Sequence, residues 1–422
     1  MKILAIVLFA STYILLLIFP KVRAWIALVS ASVFVILGIL PLSKVLSVVD
    51  WNVILMIAGT MGIVTLFIDS KMPSLLADII IDKAPNLKWA IISLALFASL
   101  ISAFIDNVAT VLMFAPVALS IAKKLKISPV PCIIAIAIAS NLQGAATLVG
   151  DTTSILLGGY AHLNFLDFFW FHGKIGIFWI VQAGALASTI VLMFAFRKLK
   201  QPIHLTESTI VKDYFPTFLL ISMVVFLILA SFIPNMPRTI NGIICLTLFG
   251  IGLIVTFLQK KELCVFTKAC SEIDIFTILL LAGLFIVVGG ISEAGVIKDI
   301  SQFFVRVGNN NIFVIYTLVV WVSVLFSAFI DNIPYVATML PVVASIATFS
   351  NIEPYILYFG LLTGATLGGN LTPIGASANI TALGILRKNG HEVSTWQFMK
   401  IGIPFTLSAV IVGYLMIWLV WK

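Results

Sequence analysis

The chain has 422 residues, of which 61% are hydrophobic and only 10% are charged, and its formal net charge is +8. Soluble domains carry about 25% charged residues, so this composition excludes an ordinary soluble protein and predicts a polytopic membrane protein. The positive charge does not indicate nucleic-acid binding, because in a membrane protein the positions of Lys and Arg matter more than their sum. The four cysteines (Cys132, Cys245, Cys264 and Cys270) show no CxxC or His-rich spacing, so we expect neither a disulfide framework nor a structural metal.

Apolar runs long enough to cross a bilayer, which takes about 20 residues, occur along the whole chain. They predict spans near residues 2–19, 24–42, 52–69, 173–196, 214–233, 238–258, 275–291 and 399–421. The first run lacks a clear small-residue cleavage site, so we interpret it as a helix and not as a signal peptide. No catalytic triad, metal motif or nucleotide loop is present, and we expect the protein not to be an enzyme.

Two pairs of apolar segments have a different layout. Asp106-Asn107 alone separates residues 88–105 from 107–122, and Asp331-Asn332 separates residues 313–330 from 333–348. Such a short polar tip predicts a re-entrant hairpin, in which two helices enter and leave on one side of the membrane. Residues 127–160 and 352–386 are apolar runs interrupted by Gly, Thr and polar residues, which predicts broken helices that still cross. Amphipathic segments at 70–86 and 293–309 indicate interfacial helices that support the hairpins.

An internal repeat organises these elements. Residues 102–116 (SAFIDNVATVLMFAP) match residues 327–341 (SAFIDNIPYVATMLP) at eight of fifteen positions, at an offset of 225. The same offset places 141–154 (NLQGAATLVGDTTS) on 366–379 (TLGGNLTPIGASAN). The charged stretch 197–213 is the expected cytoplasmic linker between a first repeat, 1–196, and a second, 214–422. Each repeat would contribute an odd number of crossings, so we predict an all-α fold of about ten crossings in two inverted repeats.

The distribution of basic residues gives an orientation. Counting crossings places 18 of the 25 Lys and Arg on one side of the membrane, which the positive-inside rule makes cytoplasmic. Both termini are then expected outside a cell (inner) membrane. The first hairpin would enter from the cytoplasm and the second from outside.

The two tips are the leading candidates for function. An Asp at mid-membrane depth costs several kcal/mol and is functional by default. Asp is also a favoured helix N-cap, but Ser or Asn would cap without the charge. We therefore favour ion or proton handling by Asp106 and Asp331 over capping alone.

The broken helices supply complementary chemistry. Unwound backbone at membrane depth survives only where it lines a cavity, and its carbonyls and nearby hydroxyls suit Na⁺. Close helix packing is the alternative explanation for the Gly and Thr residues. The candidate substrate- and ion-binding residues are Ser102, Asp106, Asn107, Thr110, Asn141, Thr147, Gly150, Asp151, Ser154, Ser327, Asp331, Asn332, Gly369, Asn370, Thr372, Gly375, Ser377 and Asn379, with possible Na⁺ near the two Asp-Asn tips.

The charge of the substrate is harder to predict. Asp106, Asp151 and Asp331 are expected to lie centrally, and no central Lys or Arg is evident to face them. A multiply negative substrate would then meet like charge unless cations bound first. This pattern favours a cation, a neutral hydroxide-type species or an ion-coupled small anion.

These motifs resemble the ion transporter superfamily, over nearly the whole chain. The first tip with its DN-V-x-T pattern, the second with DNIP-x-x-AT, and the segments 141–151 and 368–379 are similar to the branch that holds arsenite permeases, sodium/proton antiporters and P proteins. The resemblance implies that both hairpins meet at a central site, that alternating access is elevator-like, and that the protein is a homodimer. The first broken helix departs from the family's usual GDPPN, because Thr152, Thr153 and Ser154 follow Asp151. Gln143 also stands where Gly is usual.

We expect a secondary active transporter of a small ion or oxyanion-type solute, such as arsenite, antimonite or Na⁺, coupled to H⁺ or Na⁺ and without a cofactor. The alternative is a Na⁺-coupled dicarboxylate or other anion permease of the same fold. A channel is a third possibility, and its flux would not respond to pH gradients.

Overall fold

The computed structural model describes residues 1–125, 127–199, 201–202, 209–233, 236–261 and 273–422. Cys264 and Cys270 lie outside these residues, whereas Cys132 and Cys245 are buried free thiols. Most of the described chain is helical, and it has one short ribbon in which β1 (Trp170–Phe171) pairs antiparallel with β2 (Lys174–Ile175).

The helices of the first half alternate long apolar elements with short ones. They are α1 (Lys2–Ile18), α2 (Arg23–Ile36), α3 (Val45–Val48), α4 (Trp51–Asp69), α5 (Met72–Asp82), α6 (Leu87–Ser102), α7 (Asn107–Leu125), α8 (Val130–Gln143), α9 (Thr152–Ala161) and α10 (Ile177–Ala195). The crossing expected at 24–42 ends early, because Gly38 adopts a left-handed φ of +68° and Pro41 follows it.

The second half repeats this order. Its described helices are α11 (Phe215–Ser231), α12 (Ile240–Lys260), α13 (Ile275–Glu293), α14 (Val296–Val307), α15 (Ile312–Ser327), α16 (Asn332–Ser350), α17 (Tyr355–Gly368), α18 (Ser377–Lys388) and α19 (Thr395–Trp421). From α6 onward, each of four successive helices begins 225 residues before its counterpart, as with Asn107 and Asn332. The inverted orientation of the halves and their exact boundaries stay predictions.

The predicted all-α membrane fold is confirmed. Among the described residues, seven helices are long and apolar enough to cross a membrane, and up to nine spans result if each of two bent pairs counts as one. One bent pair is α1 and α2, whose axes turn by 111° at Pro20, a residue without the N–H that would continue a helix. Both predicted broken helices are interrupted, between α8 and α9 and between α17 and α18.

Small residues allow the long helices to pack closely. A Cβ at Gly59 of α4 would lie 2.4 Å from the backbone of Cys245 in α12, and one at Gly283 of α13 would lie 2.7 Å from the backbone of Ala27 in α2. In α17, Gly364 likewise faces the backbone of Val320 in α15. Close packing, the alternative explanation for glycine, therefore applies at these positions.

Candidate functional site

The two Asp-Asn tips start the helices that follow them. Asp106 Oδ2 accepts hydrogen bonds from the backbone N–H groups of Val108 (3.0 Å) and Ala109 (3.1 Å) in α7. Asp331 Oδ1 accepts from the backbone N–H of Ile333 (3.2 Å) in α16. A helix N-terminus leaves unpaired donors and carries partial positive charge, so each carboxylate lies where the backbone stabilises it. Both residues are thus helix caps as well as candidate ion ligands.

Both tips line the same cavity, of about 160 Å³, which is the arrangement that the family resemblance implies. We call it the central cavity. It also contains Asp151 from the start of α9 and Asp274, which caps α13. Asp274 was not predicted, although it occupies nearly the same place in the second half as Asp50, the cap of α4, in the first. The central cavity therefore holds four carboxylates from four different elements.

The prediction that no basic residue faces these carboxylates is wrong. Arg23, at the start of α2, lines the central cavity and its Nη1 donates to Asp331 Oδ2. The two side chains are only 23% and 18% exposed. The sequence places Arg23 beside Lys21 at an apparent membrane edge, but the turn at Pro20 and the packing of α2 on α13 direct it inward. No pattern in the sequence marks this contact.

A chain of buried amides joins the first tip to both broken helices. Asn107 Nδ2 donates to Asn141 Oδ1 (2.8 Å), and Asn141 Nδ2 donates to Asn370 Oδ1 (3.0 Å) and to the carbonyl of Thr366 (2.8 Å). Asn370 Nδ2 in turn donates to the carbonyl of Ile138 (2.9 Å). The predicted residues Asn107, Asn141 and Asn370 therefore form one network that crosses between the halves of the chain.

Matching contacts hold each broken helix against its hairpin. Thr147 Oγ1 donates to the carbonyl of Ala103. Thr372 Oγ1 donates to the carbonyl of Ala328, and both of these residues lie 225 positions after their counterparts in the first contact. Thr110, by contrast, donates to the carbonyl of Asp106 within its own helix (3.0 Å).

A second matched pair lies at the interruption itself. Ser154 Oγ donates to the carbonyl of Gly144 (2.8 Å), and Asn379 Nδ2 donates to the carbonyl of Gly369 (3.0 Å). Ser154 thus makes the same bond in the first half as Asn379 makes in the second. Asn379 Oδ1 has no partner among the described residues.

Two glycines face clusters of backbone oxygens. A Cβ at Gly150 would lie 2.9 to 3.1 Å from the carbonyl oxygens of Ser102, Ala103 and Gly144, which we call the first cradle. A Cβ at Gly375 would lie 2.6 to 2.8 Å from those of Ser327, Ala328 and Gly369, the second cradle. Backbone carbonyl oxygens near interrupted helices coordinate Na⁺ in many secondary transporters, and a carbonyl that already accepts one hydrogen bond keeps a second lone pair. Both cradles fit such an ion by the chemistry of their donors.

Further hydroxyls surround the carboxylates. Ser377, one of the predicted site residues, donates through Oγ to Asp331 Oδ2 (2.9 Å). Thr153, which was not predicted, donates to Asp151 Oδ2 (3.2 Å) and lies 3.1 Å from the hydroxyl of Thr366. Its position next to Asp151, within the interrupted segment, is the sequence feature that could have identified Thr153 as a site residue.

A larger cavity of about 850 Å³ contains neither tip and is lined by Asp50, His162 and Arg238, among others. It lies at the start of α4 and the end of α13, whereas the central cavity lies at the opposite ends of these helices.

Comparison with known proteins agrees with this architecture. The model of the CitMHS family, described as a citrate transporter, matches residues 13–364. An uncharacterised transporter of Mycobacterium bovis is 31% identical over 99% of this chain and 98% of its own, and a 46 kDa membrane protein of Mycobacterium leprae is 31% identical over 99% of both. The human P protein is 27% identical over 92% of this chain and 56% of its own length.

Two solved transporters share the fold at low sequence identity. The YdaH transporter of Alcanivorax borkumensis superposes with a TM-score of 0.60 and 13% identity, covering 89% of this chain and 86% of its own. MtrF of Neisseria gonorrhoeae gives a TM-score of 0.55 and 13% identity, covering 87% and 80%.

The fold and its relatives define a multi-pass membrane transporter. The chain belongs to the CitMHS citrate transporter family, and the predicted resemblance to the ion transporter superfamily is confirmed.

Proposed function

We propose that the protein is a secondary active transporter, which moves a small solute together with, or in exchange for, H⁺ or Na⁺. The observation that carries this proposal is the meeting of both Asp-Asn tips in one cavity, beside two interrupted helices. Ionisable groups buried in a membrane protein mark ion and substrate pathways. The four carboxylates against one guanidinium leave surplus negative charge, which attracts cations.

Asp106 and Asp151 are the proposed carriers of the coupling ion, together with the first cradle. Protonation of a carboxylate removes its charge and weakens its hold on Na⁺, so the two cations compete for one group. Because H⁺ and Na⁺ compete for one carboxylate, the site supports exchange of one for the other. If the cation and the solute occupy the cavity together, the same site supports their co-transport.

Two substrate classes fit this site. A small ion or oxyanion-type solute, such as Na⁺, arsenite or antimonite, suits the excess of carboxylates. A carboxylate such as citrate is favoured by a specific observation, since Arg23 gives the cavity a guanidinium that pairs well with carboxylates. The family description, a citrate transporter, points the same way. The surplus negative charge then requires that cations enter with the anion.

Alternating access is the proposed motion. The central cavity and the larger cavity flank opposite ends of α4 and α13, as expected if the tips are exposed first to one side of the membrane and then to the other. The re-entrant insertion of the tips from opposite faces and a homodimeric assembly belong to this proposal.

The test is transport by purified protein in liposomes. Uptake of Na⁺, arsenite, succinate and citrate should be measured in parallel, driven by a Na⁺ gradient or by a pH gradient, with protein-free liposomes as the control. We expect at least one solute to accumulate only when an ion gradient is imposed. Flux indifferent to both gradients would indicate a channel. Unchanged coupling in both Asp106→Asn and Asp151→Asn would contradict the proposed mechanism.

A further inference from the structure

The two tips share the sequence SAFIDN but have different partners. Asp331 Oδ2 accepts from Arg23 Nη1 and from Ser377 Oγ (2.9 Å), so this carboxylate has a fixed positive neighbour. Within the described part of the chain, the Asp106 carboxylate accepts only from the backbone N–H groups of Val108 and Ala109, and no basic side chain contacts it. The tips are therefore equivalent in sequence but not in charge.

The first-tip serine also differs from its counterpart. Ser102 Oγ is buried and has no hydrogen-bond partner among the described residues. Its counterpart Ser327 Oγ hydrogen-bonds the Asn332 amide and donates to the carbonyl of Ala365. A buried hydroxyl without a partner costs about 1–3 kcal/mol, which a bound ligand would offset. The unpaired hydroxyl belongs to the tip whose carboxylate lacks a cation.

We propose that Arg23 is a built-in counter-cation for Asp331, so that the coupling cation binds only in the first half, through Asp106 and Ser102. This inference rests on the proposed function and specifies where its coupling ion binds. The ligand class is a monovalent cation that prefers oxygen ligands, either Na⁺ or H⁺.

The chemistry of the guanidinium supports a permanent role. Arginine keeps its proton in proteins and presents donors in a planar fork, whereas a transported cation must leave in every cycle. Arg23 lies outside the repeated motifs. Among the described residues it is the one basic side chain that lines the central cavity, and it is paired with Asp331 and not with Asp106.

The other acidic groups of the central cavity are already engaged locally. Asp151 accepts from the N–H of Thr152 (2.7 Å) and from Thr153, and Asp274 accepts from the N–H (3.0 Å) and the hydroxyl (2.6 Å) of Thr277. Both remain ionisable neighbours of the proposed cation, and their charges favour it. The two-fold repeat suggests one coupling cation at each tip. Because Arg23 already neutralises Asp331, we expect the protein to couple to one cation fewer.

The experiment measures the number of coupling cations per transport cycle from reversal potentials in proteoliposomes, with Na⁺ and pH gradients imposed separately to identify the ion. The double variant Arg23→Gln/Asp331→Asn removes one charge of each sign, and we expect its number of bound and coupled cations to stay at the wild-type value even where loss of the guanidinium slows uptake of a carboxylate solute. Arg23→Gln alone should raise the number by one, because Asp331 becomes available. Asp106→Asn should lower it by one or abolish coupling.

Direct binding to purified protein provides a second readout, which does not depend on transport. In ²²Na⁺ binding and in Na⁺-dependent thermal shifts, Ser102→Ala should weaken the apparent affinity at least about tenfold, the effect of losing roughly 1.4 kcal/mol. Its matched control, Ser327→Ala, should leave the affinity unchanged. If H⁺ is the ion, proton release on solute binding, followed with a pH dye, replaces the ²²Na⁺ signal. Size-exclusion profiles and melting temperatures identify variants that fail to fold.

Three results would overturn the inference: a loss of cation binding in Arg23→Gln/Asp331→Asn, an unchanged cation number in Asp106→Asn, or a lower number in Asn379→Ala, whose unpaired oxygen would then ligate a cation in the second half. If wild-type protein binds one cation at Asp106 but transports nothing under any gradient, the proposed function fails while this site stands. If transport is coupled to an ion gradient but Asp106 is dispensable, the proposed function stands and the cation site at Asp106 is wrong.

Discussion

At the residue scale, Asp106 combines two roles that substitution can separate. Asn is as good a helix N-cap as Asp, so Asp106→Asn should retain the start of α7 and lose only the charge. Asp106→Ala should lose the charge and also about 1 kcal/mol of stability. Thermal unfolding in detergent and gradient-driven uptake in liposomes check the two effects. Full coupling in the Asn variant would show that Asp106 is only a cap.

The glycines of the two cradles give a second residue-scale prediction. In Gly150→Ala the new methyl group would occupy the space between the carbonyl oxygens of the first cradle, and we expect Na⁺-dependent stabilisation and coupled transport to be lost. Gly375→Ala fills the second cradle in the same way but should keep its Na⁺-dependent stabilisation, because the cation is proposed to bind only in the first half. Gly384→Ala is the matched control, since a Cβ there meets no atom within 4 Å. Thermal shifts in NaCl against KCl are the measurement. A normal Na⁺ response in Gly150→Ala would exclude the carbonyls of the first cradle as ligands.

At the scale of elements, glycine determines how closely α4 and α12 approach. Gly59→Val would force side-chain atoms into the backbone of α12 around Cys245, and overpacking of this kind costs about 1–3 kcal/mol. Gly250→Val, on α12, faces open space and should be neutral. Melting temperatures of the purified variants test the difference, and equal values would show that the two helices can separate without cost.

Asn141, on α8, connects three other elements. Its side chain hydrogen-bonds Asn107 at the start of α7, the carbonyl of Thr366 in α17, and Asn370 in the turn that follows α17. Asn141→Ala would leave the amides of Asn107 and Asn370 short of partners, so we expect a loss of about 2–3 kcal/mol together with weakened transport. The exposed Asn389, whose amide bonds only within its own helix end, provides the control as Asn389→Ala. Chemical unfolding followed by tryptophan fluorescence would measure both, and a neutral Asn141 variant would contradict the proposed link.

At the scale of the whole molecule, the inverted arrangement predicts which surfaces are accessible from each side. In a background without native cysteines, Lys174→Cys should react with a membrane-impermeant maleimide on intact cells. Lys388→Cys should react only after permeabilisation, because the positive-inside rule makes its loop cytoplasmic. Labelling of both positions from the same side would contradict the crossing order from which the inversion was inferred.

Much of this organisation could be predicted from the sequence because it depends on local chemistry. Long apolar runs predict helices in any membrane protein, and the repeated SAFIDN predicts two similar tips. Gly and Thr in otherwise apolar runs predict the interruptions before Thr152 and Ser377. The turn at Pro20 was less evident, since two apolar runs joined by proline also describe two ordinary crossings.

The sequence by itself therefore determined the class of protein, the helices and the candidate residues at both tips, because hydropathy and repetition act over short stretches of chain. Only the tertiary structure decided which carboxylate has a cationic partner. Arg23 and Asp331 are 308 residues apart, and their contact depends on how α2 packs against α13 and directs its first turn toward the second tip. Charge pairing over such a separation follows from packing geometry, which no local pattern encodes.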